Sequence, residues 1–246
     1  MKKAIACLLL ALALVAALEP HVRIWISASV SGLLERREEA APVQRQDRWD
    51  EKMEVSTPYV ECDMEVAMPM FQLGFKCEPF EKGFDAICRE ITGDLAAEAL
   101  FGEASELYLR LYEDGLIDTA FGGGFETIDG MAMLTISGDS DDPEAVRDAV
   151  LAQARKIAAE GISDQDFQRM KRSAMGRRIR DLDSFSSTCF RLCAYHFSGF
   201  DYFEFPKVYE AVTAEGVREF IDRVVTQERC ALSVIEPMEE VSYESQ

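Results

Sequence analysis

Three helix starts punctuate the second half of the chain and fix what can lie between them. Asp142-Pro143 joins a capping side chain to a residue whose missing N–H is not needed in a first turn. Ser163-Asp164-Gln165-Asp166 reads as a capping box, with Ser163 and Asp166 expected to satisfy each other's free amides, and Thr213 opens a third helix. Behind the caps, apolar residues recur at helical spacing: Val146, Val150, Ala154 and Ile157, then Phe167, Met170 and Ala174, then Val217, Phe220, Ile221 and Val224. Phe84 to Leu100 carries the same period through Ile87, Ile91 and Leu95, Ser105 starts a short helix through Leu107 and Leu111, and Phe185 to Phe197 reads as another. Strand-like runs fill the remainder: Glu54 to Val60, Met64 to Phe75, Ile117 to Phe125, Met131 to Ser137 and Cys230 to Ile235. Ile128-Asp129-Gly130 supplies a hairpin turn between the third and fourth. Strands and helices are therefore segregated rather than alternating. The expected fold is α+β, an antiparallel sheet with helices packed on one face. No strand–turn–helix unit carries a glycine-rich first turn, which argues against a dinucleotide fold.

Residues 54–237 hold all of this order. Met1-Lys2-Lys3 precedes an apolar stretch from Ala4 to Leu18, so 1–18 reads as a signal peptide or a truncation remnant. It is shorter than the ~20 residues of a comfortable membrane span. Residues 19–53, charged and aperiodic from Glu35 onward, read as a linker or the remnant of a preceding domain, and 238–246 as an acidic tail.

Charge and rare residue types then exclude chemistry. With 26 basic against 45 acidic residues, a net of -19, the summed field repels nucleic acid. The seven cysteines are scattered without a CxxC and read as buried, reduced thiols. His21 and His196 are the only histidines, so neither HExxH nor HxxEH exists and no catalytic zinc is expected in this chain. Cys189, Cys193 and His196 share one helical face, but three ligands in a line make a poor tetrahedron, and the face reads as buried core. Neither a serine nucleophile elbow nor a Cys/His pair is present, so no catalytic residue is assigned.

Two features retain a sharper reading. No Lys-Ser/Thr follows Gly122-Gly123-Gly124, which removes the phosphate-loop reading. The triplet is then either a bulge or close helix crossing, or a side-chain-free strand edge on which an extended peptide could lie. Lys171, Arg172, Arg177, Arg178 and Arg180 form the one basic run, an exposed stripe or else a binding surface for carboxylates.

The run Ser105-Glu106-Leu107-Tyr108-Leu109-Arg110-Leu111-Tyr112-Glu113-Asp114-Gly115-Leu116-Ile117 resembles the second-half signature of insulinase-like (pitrilysin, mitochondrial processing peptidase) zinc proteases. Leu73-Gly74-Phe75-Lys76, Ile136-Ser137-Gly138-Asp139, Glu160-Gly161-Ile162-Ser163 and Ala231-Leu232-Ser233-Val234-Ile235 fall in the same order, most similar to the bacterial processing-protease-like branch. The resemblance implies homologous α+β domains around a chamber, zinc on HxxEH in the first, and a metal-free C-terminal domain supplying wall and substrate contacts. This chain resembles that C-terminal half. Its expected partners are a zinc-bearing N-terminal domain or subunit, in a homo- or hetero-oligomer, and a peptide substrate. Zinc is expected only in that partner, with no cofactor here. The family's arginine–tyrosine pair implies Arg110 as a substrate contact, in addition to Gly122, Gly123 and Gly124 of the strand-edge reading, while the tyrosine's place is taken by Ile117 and Asp118. The branch implies a cytoplasmic location, with export as the alternative. A stand-alone peptide-binding or scaffold protein is the competing function.

Overall fold

The computed structural model describes residues 52–79, 83–128 and 131–238. The apolar segment 1–18, nearly all of the linker 19–53, the turn residues Asp129-Gly130 and the tail beyond Met238 lie outside them.

Five strands form one sheet in the order β1-β5-β2-β4-β3. They are β1 (Tyr59–Met64), β2 (Met70–Cys77), β3 (Gly122–Ile128), β4 (Met131–Asp139) and β5 (Cys230–Pro237). Every pairing is antiparallel except β1 on β5, which is parallel in register from Tyr59 opposite Leu232 to Met64 opposite Pro237. Side chains on β2 alternate strictly. Phe71, Leu73, Phe75 and Cys77 are buried, while Met70, Gln72 and Lys76 face away from the helices.

The helices are α1 (Phe84–Phe101), α2 (Glu106–Glu113), α3 (Pro143–Glu160), α4 (Asp164–Arg180), α5 (Phe185–Phe197), α6 (Phe205–Ala211) and α7 (Ala214–Val224). Ile91, Leu95 and Leu100 of α1, Val146 and Val150 of α3, and Val217, Ile221 and Val224 of α7 meet Leu73, Leu134, Ile136 and Leu232 in one core. The expected α+β architecture is present, with the helices on one face of the sheet.

Asp142, Ser163 and Thr213 cap as expected, each accepting from the backbone amide three residues on. The Ser163 box closes differently: its hydroxyl donates to Asp166 Oδ2 at 2.7 Å. Asp is one methylene shorter than the Glu of a standard box, and its carboxylate meets the hydroxyl instead of the Ser163 amide. β3 begins at Gly122 rather than Ile117, because Ile117 and Phe121 are buried in a loop; Phe121 packs against Phe71, Phe101 and Tyr108. β2 starts after Pro69 instead of at Met64. Helix α6 was not apparent in the periodicity, since it is only seven residues long, although Pro206 in its first turn marks it.

Candidate functional site

Helix α1 crosses beneath β3 at a point with no room for a side chain. A Cβ on Gly93 would overlap the ring of Phe125, whose ring in turn stands edge-on to Phe220 at 5.6 Å. On the strand itself, a Cβ on Gly123 would overlap Thr135 O and the Ile136 backbone of β4, whereas Gly122 and Gly124 look into open space. The triplet is neither a bulge, since its register with β4 is unbroken, nor the site of the helix crossing. Gly123 serves a close approach between strands, the helix crossing belongs to Gly93, and the flanking glycines leave the strand bare.

Among the described residues β3 is the last strand of the sheet, and the half of its peptide groups that turns away from β4 meets no further strand. Alongside that edge runs a cleft of about 800 Å³. Gly122, Gly123 and Gly124 form one side, Ala97 and Phe101 of α1 with Phe121 lie beneath, and α4, α5 and α6 supply the opposite side.

The cleft is lined with paired charges. Arg177 reaches Glu98 Oε2 at 3.3 Å, and Arg191 reaches Asp181 Oδ2 at 2.8 Å. Arg178 is buried, donates to Tyr195 Oη at 3.0 Å and lies over the Tyr195 ring at 5.8 Å. Tyr195 Oη donates onward to Glu90 Oε1 at 2.8 Å. Burial works against the charge on Arg178, but Tyr195, Tyr209 and Glu90 more than offset it and hold the guanidinium above its usual range. Burial and Glu90 push the Tyr195 hydroxyl up to about 12, so it stays a donor. The crowding protein around Asp94, together with Glu90 one turn away, pushes its carboxyl up to about 7, although solvent still reaches the side chain from the cleft.

The basic run does not form an exposed stripe. Arg178 is buried, Arg177 is paired across to α1, and Lys171 donates to Val212 O at 3.0 Å, because the face of α4 bearing Arg177 and Arg178 turns toward α1 and the cleft. Only Arg172 and Arg180 keep the expected character, exposed and without an ion pair among the described residues.

Arg110 is exposed on α2 and lines a second cleft between α2, α3 and α4, next to the Glu106–Lys156 pair at 2.7 Å. The glycine triplet is absent from that cleft; Glu98 borders both. Cys193 and His196 are exposed and Cys189 half-buried, so that face of α5 is not the core expected of it. The helix lies at the margin and buries Tyr195 alone. Among the described residues no group of three or more His, Cys, Asp or Glu is arranged to hold a metal ion. Glu90, Asp94, Tyr195 and Tyr209 were not singled out in the sequence. The four-residue spacing of Glu90, Asp94 and Glu98 along one side of the helix, next to the apolar stripe of Ile87, Ile91 and Leu95, was the available signal.

Comparison with known proteins places this arrangement in a family. Residues 28–174, more than half of the chain, match the model of the peptidase M16 inactive domain. The uncharacterized zinc protease YmfH of Bacillus subtilis is 27% identical over 178 residues, which make up 72% of this chain and 41% of that protein. The structure of an M16-like protein from Alicyclobacillus acidocaldarius superposes with a TM-score of 0.73 at 17% identity, over 86% of this chain and 52% of that one. An inactive peptidase domain from Bordetella parapertussis superposes at 0.61 and 14% identity, over 75% of this chain and 98% of that one. The chain thus spans less than half the length of the curated relative it matches. It belongs to the peptidase M16 inactive domain family, the non-catalytic part of the insulinase-like peptidases.

Proposed function

We propose that this chain is the non-catalytic half of an insulinase-like peptidase, forming chamber wall and substrate contacts for a partner HxxEH domain or subunit. The observation that carries the reading is the bare β3 edge beside the cleft. An extended peptide can add there as a further strand, taking affinity from backbone hydrogen bonds without a side chain of β3 in its way. Gly122, Gly123 and Gly124 are the rail, and Arg110, one cleft away, would meet the peptide where it continues past Glu98. Hydrolysis itself needs an activated water and stabilisation of a tetrahedral oxyanion. Among the described residues no group of three or more His, Cys, Asp or Glu is arranged to supply zinc for either purpose. What this chain can contribute is position, which is a large part of the barrier when a flexible substrate must be aligned. The free thiols, all six described cysteines, suit a reducing compartment, and the cytoplasm is the location we assign.

Reconstitution tests this. An HxxEH-bearing M16 domain should hydrolyse an unstructured peptide faster when this chain is added, and Arg110→Ala should reduce that gain while leaving folding unchanged. This chain alone should cleave nothing. Hydrolysis by it in the presence of a strong chelator, or no gain on mixing, would overturn the proposal, the second result favouring a stand-alone binding role.

A further inference from the structure

Two carboxylates of the cleft make no hydrogen bond or ion pair among the described residues, Glu103 in the exposed turn after α1 and Asp94 on α1 itself, and Asp94 is the one whose neighbour packs on β3. Glu98 and Asp181 are paired with arginines, and Glu90 accepts from Tyr195. Asp94 makes no hydrogen bond or ion pair with any described residue, although it lines the cleft. Its place relative to β3 follows from its neighbour. Gly93 is pressed against Phe125 of that strand, and the next residue on a helix lies about 100° further round, off the strand and into the open groove.

Charge balance points the same way. The cleft is lined by five carboxylates, Glu90, Asp94, Glu98, Glu103 and Asp181, against four guanidiniums, Arg177, Arg178, Arg180 and Arg191. With Asp94 ionised, one negative charge is in surplus, and a single cation would balance it.

We propose that the cleft selects an extended peptide by a lysine or arginine side chain that pairs with Asp94. The proposal rests on strand addition to β3. Alternate side chains of an added strand point to the helix side of the sheet, toward α1, where Ala97 and the glycines offer no obstruction. A long cationic stem can lie along such a surface while its head reaches the carboxylate. The groups facing Asp94 are Glu90 and Glu98 on its own helix, Arg177 and Arg178 from α4, Arg191 from α5 and Tyr209 from α6. The arginines among them are already engaged, Arg177 with Glu98, Arg178 with Tyr195 and Arg191 with Asp181, so the incoming cation does not compete with an existing partner of Asp94. Because Asp94 titrates near neutrality, the cation must displace its proton below that point, and binding strengthens as pH rises.

The test is fluorescence anisotropy on the full chain with three unstructured peptides differing only in a central Lys, Ala or Glu. The lysine peptide should bind roughly tenfold tighter than the alanine one at about pH 8, and the advantage should vanish at about pH 5.5. Asp94→Asn should abolish both the preference and its pH dependence, and Asp94→Glu should keep them. Equal affinity for Lys and Ala peptides, a preference untouched by Asp94→Asn, or a preference for the Glu peptide would overturn the proposal while leaving strand addition intact. Failure of all three peptides to bind at either pH would overturn strand addition and this proposal with it.

Discussion

Among the described residues the sheet has two outer strands, and they are built to opposite ends. β1 exposes all six of its side chains, buries none, and is held by its parallel ladder to β5 and by flanking backbone bonds such as Val55 N to Glu228 O. It is short and carries Glu61 and Asp63, the usual protection of an edge against unwanted pairing. β3 has no such guard along Gly122–Gly124, is pressed from below by α1 and from the side by β4, and opens onto a charged cleft. An edge becomes a receiver through what is missing from the strand and what surrounds it. It must be rigid from behind and bare in front.

That contrast is sharpest where a methyl group is added. Gly123→Ala drives a Cβ into the β4 backbone, which cannot turn aside as a side chain would, so a loss of about 3 kcal/mol is expected in urea unfolding. Gly93→Ala meets an aromatic ring that can shift, and alanine's better helix propensity returns part of the cost, leaving a net loss of about 1 kcal/mol. A cost for Gly93→Ala equal to that of Gly123→Ala would show that the Phe125 ring is as immobile as backbone.

Smaller effects probe the charge. Asp94 has a folded value near 7, above its ordinary 3.8, so its stabilising contribution is complete below about pH 4 and is lost as pH climbs through 7. Asp94→Asn should leave thermal stability unchanged near pH 4 and raise it near pH 8. The gain should be only a fraction of a kcal/mol, because solvent reaches the group. At β1, Cys62→Ala should change stability by less than about 0.5 kcal/mol, since the side chain is exposed on an unburied strand.

Much of the fold was legible because the helices announce themselves through local chemistry. Caps at Asp142, Ser163 and Thr213 act within three residues, and strand alternation in Met70–Cys77 needs only a core on one side. The parallel pairing of β1 with β5 joins residues from opposite ends of the domain, and no local pattern encodes it. The candidate site divides the same way. The glycine triplet is a local signal, and its dual reading was available from composition. The cleft's remaining parts come from α1, α4, α5 and α6, and their meeting is a property of tertiary packing. Arg178 illustrates the limit: in sequence it is one of five similar cations, and only the packing of Tyr195 and Tyr209 around it makes it a buried donor.

The claim that β3 receives a strand and β1 does not is tested most directly by amide hydrogen exchange of the full chain, with and without a saturating lysine-bearing peptide. Protection should increase in the amides of 122–128 and remain unchanged in those of 59–64. Unchanged exchange across β3, or new protection confined to β1, would contradict the account.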